Sequence, residues 1–274
     1  MNARTDLISE ENLAGNSKIK TEKSCAEGVY TEITEINDEN AAKAFKKPCG
    51  KYCTIRFDRL DTLPDTTPLQ SALISALKKL TGGIDDNALI VGLGNADITP
   101  DALGPLSAGS VIATRHISRE LKKTLGIEGL HKVSCLVPGV LGKTGIEAVD
   151  IIKAAVEKIR PDIVIAIDAL AARTPENLCR TIQLTDSGIA PGSGVKNERR
   201  ALNRDNLGVP VIALGIPTVI DAECFLAGQK STENMMVTPK EIDLLISRSA
   251  AVIARAVNMF FQPSLDEATI ESLS

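Results

Sequence analysis

Between residues 87 and 216 the chain repeats one pattern, a short continuous apolar run followed by a turn and, for several of the runs, an amphipathic stretch. The runs are ALIVGLG (88–94), KVSCLV (132–137), DIVIAID (162–168), RTIQLT (180–185) and PVIALGI (210–216). A strand that is apolar at nearly every position must be covered on both faces, which is the signature of parallel strands between helices. Val149, Ile152, Val156 and Ile159 recur at helical spacing, as do Ile242, Leu245, Ile246, Ile253, Ala256, Val257 and Phe260 near the end. Ala113, Ile117, Leu121 and Leu125 lie four apart and predict another helix, ending near Gly126 and containing His116. Alternating strands and helices give an α/β fold, a mainly parallel twisted sheet with helices on both faces.

Upstream, YCTIRF (52–57) reads as a strand and LQSALISALKKL (69–80) as a helix, with Leu69, Leu73, Ile74, Leu77 and Leu80 on its apolar side and Gly82-Gly83 as its stop. We read the 274 residues as a single domain: an N-terminal extension and β/α subregion over 1–85, an α/β catalytic core over 86–262 and a C-terminal tail over 263–274.

Right-handed crossovers place the second core strand on one side of the first and the third on the other. The carboxyl ends of the first and third then flank the switch point, where open α/β sheets bind their ligands. Asp101 follows the first of these strands and Asp168 ends the third, so topology alone brings two carboxylates to that crevice. Facing each other, they can share one proton and divide the roles of base toward water and acid toward a leaving amine. Each also has a plain structural reading. Asp101, in Thr99-Pro100-Asp101, suits a helix start, and Asp168 suits a salt bridge to Arg173.

In the loop GLGNADITPDALGP (92–105), Gly92 and Gly94 permit tight turning and close backbone approach, while Asn95 and Thr99 are placed to line the crevice. A dinucleotide fingerprint needs a third glycine where Asp97 stands. PGVLGKTGIE (138–147) resembles the end of a phosphate-binding loop, yet Val137 replaces its first glycine and Pro138 removes an amide donor. Lys143 and Thr144 are left to line the crevice or to start a helix. The glycine-rich stretch 185–203 holds Ser187 and Ser193, but Thr185 and Pro191 stand where a nucleophile elbow needs glycine. A substrate-contacting loop that includes Ser193, or plain connecting structure, fits better.

With 31 Lys and Arg against 35 Asp and Glu, the net charge of -4 lacks the field of a general nucleic-acid binder. Direct contact with nucleic acid is not expected. The N-terminus has no apolar signal region and no run of about 18 apolar residues predicts a membrane span, so a cytoplasmic protein is expected. Six scattered cysteines are read as free thiols in a reducing compartment. Two histidines, His116 and His131, are too few for a His-rich centre, so no catalytic metal and no cofactor are expected.

Taken in order, RTDL at Arg4, GKYCTIRF, GLGNADITPDALGP, GVLGKTGIE, IDALAAR, DSGIAPGSGV, IPTVIDA and MMVTPKEID (235–243) resemble the germination proteases of spore-forming bacteria over nearly the whole chain. The GLGN segment and the Asp168 strand are more faintly similar to hydrogenase maturation endopeptidases. The resemblance implies an endopeptidase with essential aspartates at Asp101 and Asp168. It also implies substrates among the small acid-soluble proteins that coat spore DNA, a homotetramer, and a location in the forespore or spore core. Zymogen processing in that family falls near an RTDLA-like sequence, which here points to Asp6 and Leu7, with almost nothing ahead of them. Many relatives carry a long insertion where this chain has only residues 223–234. Two other readings stand beside this one, a nickel-dependent maturation-type peptidase and a non-proteolytic nucleotide-binding α/β module built on the Lys143 loop.

Overall fold

The computed structural model describes residues 5–11, 19–83, 86–124, 127, 129–190, 201–225 and 235–273. Its strands are β1 (Ile19–Ala26), β2 (Val29–Ile36), β3 (Gly50–Arg56), β4 (Asn87–Gly92), β5 (Lys132–Leu136), β6 (Ile163–Ala172), β7 (Thr181–Thr185), β8 (Val211–Asp221) and β9 (Met236–Val237). The helices are α1 (Glu39–Phe45), α2 (Thr67–Thr81), α3 (Leu103–Gly109), α4 (Arg119–Thr124), α5 (Leu141–Thr144), α6 (Ala148–Ile159), α7 (Arg204–Leu207), α8 (Ile242–Phe261) and α9 (Glu267–Leu273).

The described strands form one sheet in the order β1-β2-β3-β7-β8-β6-β4-β5, with β9 added to β8. β5, β4, β6 and β8 run parallel, and β6 is flanked by β4 and β8. This is the arrangement expected from right-handed crossovers, with β4 between β5 and β6. The other half, β1-β2-β3-β7, is antiparallel and joins β8 antiparallel, so the sheet is mixed and the parallel order covers only the half that holds β5, β4, β6 and β8. The polar character of β1 reflects an edge strand whose described side chains lie in water, whereas β2 is largely covered, with Val29, Thr34 and Ile36 buried.

Side chains of successive strand residues point to opposite faces. Ile163, Ile165 and Ile167 therefore pack with α2, α3 and α8 in one core, while Val164 and Ala166 pack with α6 and α7 in the other. α8 is long and apolar enough to cross a membrane by length and composition, although Asp243, Arg248 and Arg255 interrupt its apolar residues. Its Leu245, Ile253, Val257 and Phe260 are buried in the sheet-covering core, which accounts for that apolarity. Past α8, the stretch read as a tail contains α9, which packs against α8 with Ile270 buried.

One expected helix is shortened to its second half, α4. Residues 113–118 form no helix, and His116 lies exposed in a turn. Thr114 and Arg115 both donate their backbone N–H to the Val133 carbonyl, an attachment to β5 that overrides the helical spacing. The first α-helix after β4 is α3, which begins ten residues before Ala113. All six cysteines are free thiols; Cys53 and Cys179 are buried, which pushes each thiol up to about 12.

Candidate active site

The crevice is assembled at the carboxyl ends of β4 and β6. After Gly92 the chain makes a tight descent into a 3-10 turn, Thr99–Asp101, and then α3. Three glycines make this possible. Gly94 adopts φ +113°, where a side chain is strained, and its missing Cβ would lie 2.1 Å from the Asp101 carbonyl oxygen. A Cβ on Gly104 would lie 2.2 Å from the Leu93 carbonyl oxygen and 2.4 Å from that of Ile167, and one on Gly92 would lie 2.2 Å from the Gly104 carbonyl oxygen. The start of α3 thus sits directly on the ends of both strands, which the Leu93 N–H ties together by donating to Ile167 at 2.8 Å.

Asp101 is held in this turn by the Asn95 backbone N–H, which donates to Oδ2 at 2.7 Å. Burial pushes the Asp101 carboxyl above the ordinary carboxylate value, and the Asn95 bond offsets part of that rise. Its side chain does not cap α3, so the capping role considered from sequence is not the one it plays. From the other side, Thr218 on β8 donates its hydroxyl to the Pro100 carbonyl at 2.7 Å. The turn also packs against β6 and α8.

Asp168 continues the row of Val164 and Ala166 and is buried. Its Oδ1 accepts the N–H of Ala169 at 2.9 Å. β4 pairs with β6 only as far as Gly92 and Ile167, so Asp168 is the first β6 residue beyond the covered stretch. Asp168 thus stands at the end of the β6–β4 pairing and Asp101 in the turn that follows β4, on the two sides of the switch point, with Gly104 packed closely on both backbones.

The other residues singled out from sequence divide. Asn95 and Thr99 belong to the Asp101 turn; Asn95 Oδ1 also accepts the Asp97 N–H at 3.1 Å. Lys143 lies on the one-turn helix α5 and pairs with Asp97, joining the loops that follow β4 and β5. Thr144 spends its hydroxyl locally, donating to Val140 or Ile146 carbonyls and accepting the Ile146 N–H. Arg173 points to the N-terminal segment, with Nη1 donating to the Glu10 carbonyl and Nη2 to Glu11, each at 3.0 Å. Ser193 lies outside the described residues. Among the described residues, no group of three His, Cys, Asp or Glu is placed to hold a metal.

Sequence reasoning missed the residues that hold Thr5 to Glu11 against the sheet. The Asp6 N–H donates to the Ala171 carbonyl at 2.9 Å, and Asp6 Oδ2 accepts the Ala171 N–H at 2.8 Å. Gln183 accepts the Ile8 N–H at 2.6 Å and donates to the Asp6 carbonyl at 2.8 Å. Lys47 Nζ donates to the carbonyls of Thr5 and Asp6 at 3.0 and 2.8 Å. Leu7 is fully buried against Leu170 and Ala172. Nothing local marks Lys47, Gln183 or Glu10 in the sequence, because the partners that fix the segment lie 41 to 177 positions away. The run IPTVIDA was a motif in its own right, but only the fold shows that its Thr218 reaches the Asp101 turn.

Comparison with known proteins bears on this arrangement. The germination protease family model matches residues 1–229. The germination protease of Caldanaerobacter subterraneus subsp. tengcongensis is 40% identical over 291 aligned positions, covering 90% of this chain and 89% of that protein. That of Clostridium perfringens strain SM101 is 35% identical over 320, covering 96% of each. That of Bacillus subtilis strain 168 is 45% identical over 201, covering 71% of this chain and 54% of that protein. Among solved structures, the [NiFe] hydrogenase maturation protease HycI from Thermococcus kodakarensis KOD1 aligns with TM-score 0.41 and 18% identity over 66% of this chain and 98% of that one. The family match over most of the chain, and relatives of similar length above 30% identity, place this protein in the germination protease family.

Proposed function

We propose that this protein is a single-domain endopeptidase that begins the breakdown of small acid-soluble spore proteins at germination, hydrolysing peptide bonds with Asp101 and Asp168. The observation that carries the proposal is their joint position at the open ends of β4 and β6, with Gly104 clamping the two supporting backbones together. In the working state the pair holds one proton. The ionised carboxylate takes a proton from water, whose oxygen attacks the peptide carbonyl carbon. The protonated carboxyl then delivers its proton to the leaving nitrogen, the C–N bond breaks, and the pair again holds one proton. Burial raises the Asp101 carboxyl and so favours a proton within the pair, which divides the roles of acid and base between Asp101 and Asp168. The enzyme is proposed to act as a homotetramer in the spore core, without a cofactor and without contacting nucleic acid or membrane itself.

The test is incubation with a small acid-soluble spore protein, followed by mass mapping of the fragments. Wild-type protein is expected to make a few defined internal cuts. Asp101→Asn and Asp168→Asn keep the side-chain shape without the proton chemistry, and each is expected to slow cleavage by about 10²–10⁴. Near-normal cleavage by either variant, in a folded preparation, removes that residue from the mechanism.

A further inference from the structure

Past Asp168, β6 loses its neighbour on one edge. β4 ends its pairing at Ile167, and the β6–β8 register shifts between Leu170 and Ala171. Residues 169–172 would then be a strand end with an open edge, carrying a buried carboxylate at its base. The edge is not left open. In a strand, alternate residues direct their backbone groups to the same side, so Ala171 faces the edge to which Ile167 offers its carbonyl. There Asp6 takes both backbone groups of Ala171, the N–H through its carboxylate and the C=O through its own N–H.

Four residues further along, Glu10 gathers the chain that leaves β6. Its Oε2 accepts the Arg173 N–H at 2.6 Å, and its Oε1 accepts from the Thr174 N–H at 3.0 Å, the Thr174 hydroxyl at 2.9 Å and the Asn177 side-chain amide at 2.8 Å. Burial works against the charge on Glu10, but these bonds and one from the Thr5 hydroxyl outweigh it and hold the carboxyl below its ordinary value. A carboxylate with this many donors is a fixed anchor rather than a surface charge. Asn177 is buried and passes the restraint to β7, accepting from the Thr181 hydroxyl at 3.1 Å.

We propose that Glu10 is a positioning residue: through the segment Thr5–Glu11 it clasps the exit of β6 and so fixes where Asp168 stands relative to the Asp101 turn. The proposal rests on the assignment of Asp168 to the chemistry. A loosened strand end displaces the carboxylate without removing it, so the loss falls on the transition state rather than on substrate binding.

The experiment compares wild type with Glu10→Gln, in which an amide NH₂ is turned toward groups that are themselves donors. Amide hydrogen exchange of residues 169–174 and steady-state cleavage are measured on the same preparations. Faster exchange at the Ala171, Arg173 and Thr174 amides is expected, together with kcat lower by about 10–100-fold and KM little changed. If Glu10→Gln does not fold, Asn177→Ala removes one donor and is expected to shift both readouts the same way by less. Glu176→Gln, an exposed carboxylate on the same turn, is expected to behave as wild type. Faster exchange with unchanged kcat would make the clasp purely structural and overturn the proposal. So would lowered kcat without faster exchange, or no change in either. The exchange readout does not depend on Asp168 being catalytic, which Asp168→Asn judges separately.

Discussion

Replacing Gly104 with alanine puts a methyl carbon 2.2 Å from the Leu93 carbonyl oxygen and 2.4 Å from that of Ile167, where ordinary contact begins at 3.4 Å. Both obstacles are backbone atoms inside the sheet, so no rotamer relieves the clash. α3 and the Asp101 turn must retreat by about 1.2 Å from the ends of β4 and β6. Overpacking of this kind costs about 1–3 kcal/mol, a Tm lower by several degrees in a chain of this size. The larger effect falls on catalysis, because Asp101 moves with α3 while Asp168 stays on β6, and a displacement of about 1 Å between reacting groups is worth about 10² in rate. Thermal unfolding and kcat on a spore coat protein are measured together. Gly109→Ala, at the far end of α3 with nothing within 4 Å of the added carbon, is the control. It is expected to keep wild-type kcat and to gain up to about 1 kcal/mol of stability. A folded Gly104→Ala with a lowered Tm and wild-type kcat would refute the idea that this close approach sets the geometry of the pair.

Three further outcomes are expected. The raised Asp101 carboxyl means that the native state binds its proton more tightly than the unfolded chain, so Asp101 contributes stability below the ordinary carboxylate range that is lost as pH rises through its raised value. Asp101→Asn should therefore gain stability relative to wild type as pH rises from strongly acidic to neutral, a trend read by denaturant unfolding at several pH values; a flat or opposite trend contradicts it. Leu7→Ala empties a fully buried site between the N-terminal segment and β6, and should cost about 2–5 kcal/mol in the same assay. Lys143→Met breaks only an exposed pair with Asp97, so it should cost no more than about 1 kcal/mol, less at high salt, and neither wild type nor variant should be protected by nucleotide and magnesium in thermal unfolding.

What the sequence made legible follows from how each signal arises. The strands 88–94, 162–168 and 210–216 are apolar at consecutive positions because both faces are covered, and that signal needs no tertiary context. Once they were placed, the crossover rule sufficed to put Asp101 and Asp168 at one switch point. The helix start read at Thr99-Pro100-Asp101 is realised as a 3-10 turn leading into α3, whose body was masked because Leu103-Gly104-Pro105 looks like loop punctuation, although Gly104 is there for contact with Leu93 and Ile167. The spacing of Ala113, Ile117 and Leu121 becomes helix only at Leu121, in α4, because hydrogen bonds tie residues 114 and 115 to β5. β1 and β2 escaped notice because β1 is exposed and β2 mixes Thr and Glu among its apolar residues, so neither has an apolar run. Arg173 was read beside Asp168, but its bonds to Glu10 and Glu11, more than 160 positions away, had no signal in the sequence. Such long-range partners are visible only once the chain has folded.

The account depends most on Asp101 and Asp168 acting as one unit, and the pH dependence of kcat/KM for wild type, both single Asp→Asn variants and the double variant tests this directly. Two nearby carboxylates sharing a proton titrate in two separated steps that belong to the pair. Wild type should give a bell, both limbs should change in each single variant, and the double variant should be no slower than the slower single one, because a unit already broken has little left to lose. A wild-type profile without both limbs, or a double variant slowed by the product of the two single effects, would show that the two aspartates do not work as a coupled acid and base.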